Sequence, residues 1–242
     1  MTASCEHSTK VLQFPITSWN TIANARGVGT ESARDAFGHL CDNYWHPVYA
    51  YIRRKGFDCD QASDYTQAFF AALLEKNSLG DVNQAKGRLR SFLLVAVNHF
   101  LLNQIARERT LKRGGAYKIL RLEQDTAERL YRRELTNELT PETIFEYHWA
   151  LNLLGRTLSH LRSIHSGVEF DILKPFLLGE ADRGQIAIVG ERQGMSGGAL
   201  KVAVHRLRRR FREILRAEIA STVSDPSQVD EEIRHLLQVF SR

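Results

Sequence analysis

The stretch that most constrains this fold runs from Gly194 to Arg216, where a glycine turn leads straight into a long basic helix. Gly194 is free to take a positive φ angle, and Ser196 carries a side-chain oxygen suited to capping a helix. Apolar residues then recur at helical spacing, at Leu200, Val204, Leu207, Phe211 and Leu215. The other positions are crowded with Lys201, His205, Arg206, Arg208, Arg209, Arg210, Arg212 and Arg216. Such a helix requires an anionic partner, and duplex DNA is the favoured candidate.

The composition predicts a soluble globular protein with a nucleic-acid partner. The 242 residues allow one large domain or two small ones, and 43% hydrophobic content suffices for a sizeable core. The net charge of +5 comes from clustered basic residues, which favours nucleic acid over an acidic small molecule. No uninterrupted apolar run of about eighteen residues and no signal peptide is present, so we expect no membrane partner. Three cysteines at unrelated spacings indicate a reducing compartment, by default the cytoplasm.

The rest of the chain has helical periodicity and no strand-like alternation, so the predicted fold class is all-α with two small helical domains. The segments that we interpret as helices are 31–55 (with Pro47 as a kink or break), 60–76, 88–109, 144–163, 184–193 and, after the turn at its start, 194–216. Shorter helical segments are expected at 18–23, at 170–177 around a proline, and at 229–240. The predicted organisation is a flexible N-terminus (1–16), a first domain (17–115), a charged linker (116–141), a second domain (142–222) and a C-terminal extension (223–242). Packing on the protein's own core is the favoured role of the extension; covering part of the second domain and binding a partner helix are the alternatives.

The segment 184–216 is typical of a helix-turn-helix, whose second helix enters the major groove and reads base edges. The residues expected nearest the bases are Gly197, Gly198, Ala199 and Lys201. Because the two glycines leave few side chains there, Lys201 and His205 are the leading candidates for base contact. Arg206, Arg209 and Arg210 are expected to bind phosphates, which give affinity without sequence information. An ordinary helical hairpin with a solvated basic face is the alternative interpretation.

A second basic cluster, 107–113, follows a helix that carries aromatic and amide side chains at Phe92, Asn98, His99, Phe100 and Asn103. Aromatic rings for stacking, amides and flanking positive charge suit unpaired single-stranded DNA. Phe92 and Phe100 at such positions are more often part of a plain hydrophobic core.

Catalytic chemistry finds no support in the sequence. The nine histidines are scattered without metal-ligand spacing, and neither a nucleophile elbow nor a phosphate-binding loop occurs. We therefore expect no catalytic residue, no metal and no cofactor, and a protein that is not an enzyme.

In combination, three stretches resemble the bacterial RNA polymerase sigma factors of the extracytoplasmic-function (ECF) type. Residues 64–75 (DYTQAFFAALLE) resemble the polymerase-binding helix of that family, 87–115 its −10 melting segment, and 194–209 (GMSGGALKVAVHRLRR) its −35-reading unit. Residues 14–19 (FPITSW) and 44–49 (YWHPVY) further resemble a planctomycete-like subgroup. The tail beyond about residue 224 has no counterpart in the minimal family form.

The resemblance implies a promoter-specificity subunit that binds core RNA polymerase and promoter DNA; it leaves open an anti-sigma factor or another regulatory protein as a further partner. The implied polymerase contacts are Asp64, Gln67, Phe70 and Leu74. The implied −10 contacts are Arg88, Phe92, Asn98, Asn103, Arg107, Arg109, Lys112 and Arg113. The implied −35 contacts are Ser196, Ala199, Lys201, His205, Arg206, Arg209 and Arg210.

Two other functions compete with this interpretation. A free-standing helix-turn-helix regulator would use residues 17–115 as a sensor or dimerisation module and bind a two-fold symmetric site without polymerase. A helical protein-interaction module would not bind DNA at all, whereas many phosphate contacts would make DNA binding depend steeply on salt.

Overall fold

The computed structural model describes residues 31–75, 88–110, 128, 131, 139–165, 167–177 and 183–241. The regular structure in these ranges is helical, which confirms the all-α prediction. The β pairing found in them is an isolated bridge between Arg88 and Val223. The predicted flexible N-terminus and the short helix expected near residues 18–23 lie outside the described residues.

We label the described α-helices in chain order. They are α1 Glu31–Arg54, α2 Cys59–Glu75, α3 Leu89–Thr110, α4 Pro141–Ile164, α5 Gly167–Leu173, α6 Arg183–Arg192, α7 Gly197–Ala220 and α8 Val229–Phe240. Short 3₁₀ turns, Lys174–Phe176 and Pro226–Gln228, follow α5 and precede α8. Helix α4 begins where the sequence carries a good start signal, because the Thr140 hydroxyl accepts a hydrogen bond from the Thr143 amide and Pro141 occupies the first position.

Helix α1 continues through Pro47, where a kink or a break was one of the expectations. Proline has no amide hydrogen, so the carbonyl four residues earlier, that of Asn43, loses its usual partner in the helix. The side-chain amide of Asn152 in α4 donates to this Asn43 carbonyl at 2.9 Å. A neighbouring helix thus satisfies the acceptor that Pro47 leaves open, and the helix runs on.

The largest helix-to-helix interface lies between α1 and α4, which the sequence placed in different domains. The Phe145 ring of α4 stacks with Tyr44 and meets Tyr51 edge to face, with ring centroids 6.5 Å apart in both pairs. The buried apolar residues of both predicted domains belong to one contiguous core. The predicted division into two domains is therefore not confirmed.

Two described residues in the middle of the predicted linker, Glu128 and Tyr131, are packed rather than solvated. The Glu128 carboxylate accepts hydrogen bonds from the Tyr49 hydroxyl at 2.6 Å and from the Arg53 guanidinium at 3.0 Å. The Tyr131 ring is buried and lies 4.9 Å from the Arg53 guanidinium carbon. The alternating charges predicted solvation, but α1 supplies matching partners for both residues.

One apolar stretch bears on the membrane prediction. Within the described ranges, Leu89–Arg107 of α3 is long and apolar enough by composition to cross a bilayer, a test that core helices of soluble proteins also pass. The sequence predicted no such segment because Arg90 and Asn98 interrupt the apolar run. The side chains of this stretch that lie buried in the core include Leu89, Leu93, Val97 and Leu101.

The C-terminal helix α8 packs on α4 and α7 and carries a buried carboxylate, Glu232, to the start of α3. Glu232 accepts two hydrogen bonds from the Arg90 guanidinium, from Nε at 2.8 Å and from Nη2 at 3.1 Å. Arg90 also donates to Glu146 of α4 at 2.7 Å and lies over the Trp149 ring. The predicted packing of the extension on the core is therefore observed.

Arg88 joins the same network at its edge. Its Nε lies 2.7 Å from Glu232, and its Nη2 lies 2.6 Å from the exposed Glu231. The backbone assists, because the Leu89 amide donates to the Thr222 carbonyl at 3.1 Å. The end of the chain thereby fastens the start of α3 to α4.

We predict that Glu232→Gln lowers the free energy of unfolding by about 3–5 kcal/mol, because it leaves the buried Arg90 guanidinium short of a carboxylate. The neighbouring Glu231 is the matched control: its side chain is 57% exposed against 1% for Glu232. Glu231→Gln should leave the free energy of unfolding nearly unchanged, because water screens an exposed ion pair. Urea denaturation measures both, and equal losses would contradict the buried network.

Candidate nucleic-acid interface

Helices α6 and α7 are joined by a tight turn of four residues, 193–196. Gly194 has φ +63°, a left-handed conformation that glycine adopts without steric cost. The Met195 amide then donates to the Gly190 carbonyl at 2.8 Å. A Cβ added at Gly190 would lie 2.8 Å from the Met195 carbonyl oxygen, so the close approach of turn and helix requires glycine there.

The start of α7 is capped as the sequence predicts. The Ser196 hydroxyl accepts a hydrogen bond from the Ala199 amide at 3.2 Å. At Gly197 and Gly198 the nearest atoms to an added Cβ lie at 4.0 and 3.9 Å, which is ordinary contact. Unlike Gly190, these two glycines are not required by packing inside the protein. They leave the leading end of α7 as bare, exposed backbone.

Helix α7 buries one side and exposes a basic one. The predicted stripe is buried, together with Ile214 and Ile219. The predicted −35 set lies on the exposed surface in full, at Ser196, Ala199, Lys201, His205, Arg206, Arg209 and Arg210. All residues of this exposed face lie within twenty positions of one another, on one turn and one helix. The spacing of apolar and basic residues in the sequence was therefore enough to predict it.

The basic side chains of α7 differ in how they are engaged. Arg209 and Arg210 share Glu213, at 3.0 and 3.1 Å, and their hydrogen bonds hold the pKa of that carboxyl below its usual value. Arg208 instead turns toward the protein and donates to the Phe176 carbonyl at 3.0 Å.

Three further cations lie nearest the turn. Lys201 and Arg206 form no ion pair with any residue in the described ranges, and the His205 side chain is exposed on the same surface. The N-terminal half of α7 therefore carries exposed basic side chains that no carboxylate of the described ranges neutralises.

The predicted −10 set on α3 divides into engaged and exposed residues. Arg88 is held by Glu231 and Glu232, and Phe92 packs partly buried against the core. The Asn98 side-chain oxygen accepts a hydrogen bond from the Tyr51 hydroxyl at 3.1 Å. Asn103 and Arg107 are exposed.

The remaining members of that set are only partly placed. Arg109 lies in α3 without a described side-chain environment, and Lys112 and Arg113 lie outside the described residues. The part of α3 that carries exposed predicted contacts is thus its C-terminal half.

The predicted polymerase-binding set lies on α2, whose start is fixed by the Asp58 carboxylate accepting from the Gln61 amide at 2.8 Å. Asp64 and Leu74 are exposed, and Gln67 is half-buried. Phe70 is buried, with its ring stacked on Trp45 at 6.1 Å between centroids. Phe70 therefore supports α2 from the core instead of contacting a partner. The sequence prediction placed it on the surface because helical spacing alone does not distinguish a core aromatic residue from an exposed one.

Neither metals nor known relatives add to this description. The part of the chain that the structure describes holds no group of three or more His, Cys, Asp and Glu side chains suited to a metal ion. Comparison with protein-family models, with curated proteins and with solved structures finds no match to the chain.

The sequence interpretation missed one residue of this surface, Val202. It is an aliphatic side chain that lies off the buried stripe and is 51% exposed on the basic face of α7. Its position two residues after Leu200 was the available signal, because a helical residue there points away from the core.

We predict that Gly190→Ala lowers the free energy of unfolding by about 1–3 kcal/mol, because its Cβ must displace the backbone of the turn. Gly198→Ala is the control: it meets no close atom and should stabilise α7 by up to about 1 kcal/mol through helix propensity. Thermal denaturation of both variants measures the difference. Stabilisation by both would show that the turn does not need the close approach at Gly190.

Proposed function

We propose that this protein is a sigma factor, which binds core RNA polymerase and directs it to promoters. The observation that carries the proposal is the α6–α7 pair: a tight glycine turn leads into a capped helix with an exposed, unneutralised basic face. In this proposal the pair is a helix-turn-helix, and α7 lies in the major groove of the −35 duplex. Among DNA-binding proteins, we choose a sigma factor because three segments resemble that family in the same order along the chain.

The charges of α7 divide naturally between two tasks. Lys201, His205 and Arg206 lie within the first three turns, where a recognition helix meets base edges and adjacent phosphates. Arg209 and Arg210 lie further along and share a carboxylate, so they act as phosphate anchors that set the position of the helix.

The other two surfaces supply the remaining functions. On α2, the exposed Asp64 and Leu74, with the half-buried Gln67, form the docking surface for core polymerase. On α3, the exposed Asn103 and Arg107 lead toward the basic cluster that ends at Arg113, which would bind the unpaired −10 strand. The buried Phe70 and the partly buried Phe92 hold these helices in place.

The α1–α4 interface bears on this function. In the described structure the two predicted DNA-binding surfaces, on α3 and α7, rest on one contiguous core. Because the proposal assigns them to two separate promoter elements, it includes a separation of α1 from α4 when the protein engages polymerase and promoter.

The second candidate is a free-standing helix-turn-helix regulator. It is favoured by the extensive α1–α4 interface, because a protein that reads one compact site does not need its two halves to part. This candidate predicts tight duplex binding without polymerase and a two-fold symmetric site.

Reconstitution with core polymerase tests the proposal and separates it from this rival. We expect the protein to bind core polymerase, to initiate transcription from specific promoters, and to bind isolated duplex weakly. A gel shift with and without core polymerase gives the comparison. Tight binding to a palindromic site without polymerase, or the absence of polymerase-directed initiation, would overturn the sigma-factor proposal.

We predict that Leu74→Glu lowers the affinity for core polymerase at least tenfold, because it places a charge in the centre of an apolar contact. Leu74 is more than half exposed, so the free energy of unfolding should change by less than about 0.5 kcal/mol. Leu237→Glu is the matched control, since Leu237 is a similarly exposed leucine on α8. Equal affinities for the two variants would remove α2 from the polymerase interface.

We predict different effects for two basic residues of α7 in the reconstituted holoenzyme. Lys201→Ala should change the ranking of −35 sequences, because the side chain lies beside the bases. Arg209→Ala should weaken binding about equally on all sequences and reduce the salt dependence by about one counterion. Competition binding on a promoter set measures both, and equal losses of selectivity would contradict the division.

A further inference from the structure

The outward direction of α7 is defined by its buried stripe. Successive residues of an α-helix are rotated by about 100°, so Val202 points about 200° around the axis from Leu200. His205, Arg206 and Arg209 point within about 60° of Val202, whereas Lys201 lies about 100° to one side. Burial agrees with this geometry, because Leu200, Val204 and Leu207 are buried and all four outward residues are exposed.

Val202 is thus an apolar side chain at the centre of a cationic surface. One turn earlier, Gly198 contributes bare backbone in the same direction, and nothing inside the protein requires glycine there. One and two turns later, Arg206 and Arg209 contribute positive charge, and the His205 imidazole contributes hydrogen-bonding nitrogens. A complementary partner is an anionic surface with a recess that the start of α7 can enter. Inside that recess it has an apolar group that can contact Val202.

The major groove of duplex DNA has these properties. Phosphates line both edges of the groove, and the C5-methyl group of thymine is the apolar feature that a base pair presents on its floor. A helix start without side chains allows close approach to the bases. Cations one and two turns later then reach the phosphates and fix the depth and register of the helix.

We propose that Val202 reads the C5-methyl group of a thymine in the −35 duplex and so determines specificity at one base pair. This inference rests on the proposed function, since it places α7 in the major groove. It assigns the central base contact to an aliphatic side chain, with Lys201 at the margin and the arginines on the backbone.

Deoxyuridine substitution tests the contact, because dU differs from dT only by the missing methyl group. The holoenzyme first selects promoters from random-sequence DNA, and each thymine of the selected −35 element is then replaced by dU in turn. With the wild-type protein, we expect one position at which dU weakens binding about fourfold, the worth of one buried methyl-sized group.

The variant Val202→Ala should bind the thymine promoter about as weakly as the wild-type protein binds the dU promoter. At the same position, dU should then change the affinity of this variant by less than twofold. Val95→Ala is the matched control, because Val95 is the same residue type with 56% exposure on α3. This control should retain the full fourfold effect of dU.

Three outcomes would overturn the inference about Val202: selected −35 elements without thymine, no sensitive thymine position, or a dU effect that is unchanged in Val202→Ala. Each still leaves a holoenzyme that selects promoters, so the proposed function survives. Selection that does not depend on polymerase, or no selection at all, overturns the proposed function and this inference together. Unfolding measured in parallel on all variants confirms that exposed-site substitutions leave the fold intact.

Discussion

The contact on which the described structure depends is the buried pairing of Arg90 with Glu232. Glu232 lies near the end of the chain and Arg90 at the start of α3, and both are nearly inaccessible to solvent. Two buried charges are tolerated only when hydrogen bonds satisfy them. Here Glu146 accepts a further hydrogen bond from Arg90, and Arg88 pairs with Glu232. Removal of either Arg90 or Glu232 leaves its buried partner without that pairing, so the C-terminal helix is part of the core.

This network has a direct consequence for the proposed function. Glu231 and Glu232 neutralise Arg88 at the start of α3, whereas the exposed Arg107 lies in the C-terminal half of that helix. On α7, Lys201 and Arg206 near the start form no ion pair with a described residue, whereas Arg209, Arg210 and Arg216 are paired further along. Separate charged surfaces on two helices fit a protein that holds two DNA elements.

The spacing of residues in the sequence predicted the structure correctly wherever a feature depends on one helix alone. The apolar stripe of α7, the cap at Ser196 and the turn at Gly194 involve residues a few positions apart, so their spacing predicted the −35 surface. Phe70 was predicted to contact polymerase, and Arg88 and Asn98 to contact DNA. In the structure Phe70 is packed in the core, Arg88 pairs with Glu232, and Asn98 accepts a hydrogen bond from Tyr51. Each of these partners lies far away in sequence, where periodicity carries no information.

The sequence by itself determined the all-helical class, the helix boundaries to within a few residues and the basic face of α7, because propensity, capping and amphipathic spacing are local properties. Tertiary structure alone decided that α1 packs on α4, that Pro47 is accommodated by Asn152, and that Glu232 pairs with Arg90. Those contacts join residues about ninety to one hundred and forty positions apart in the sequence. Their energies depend on burial and geometry, which exist only once the helices are packed together.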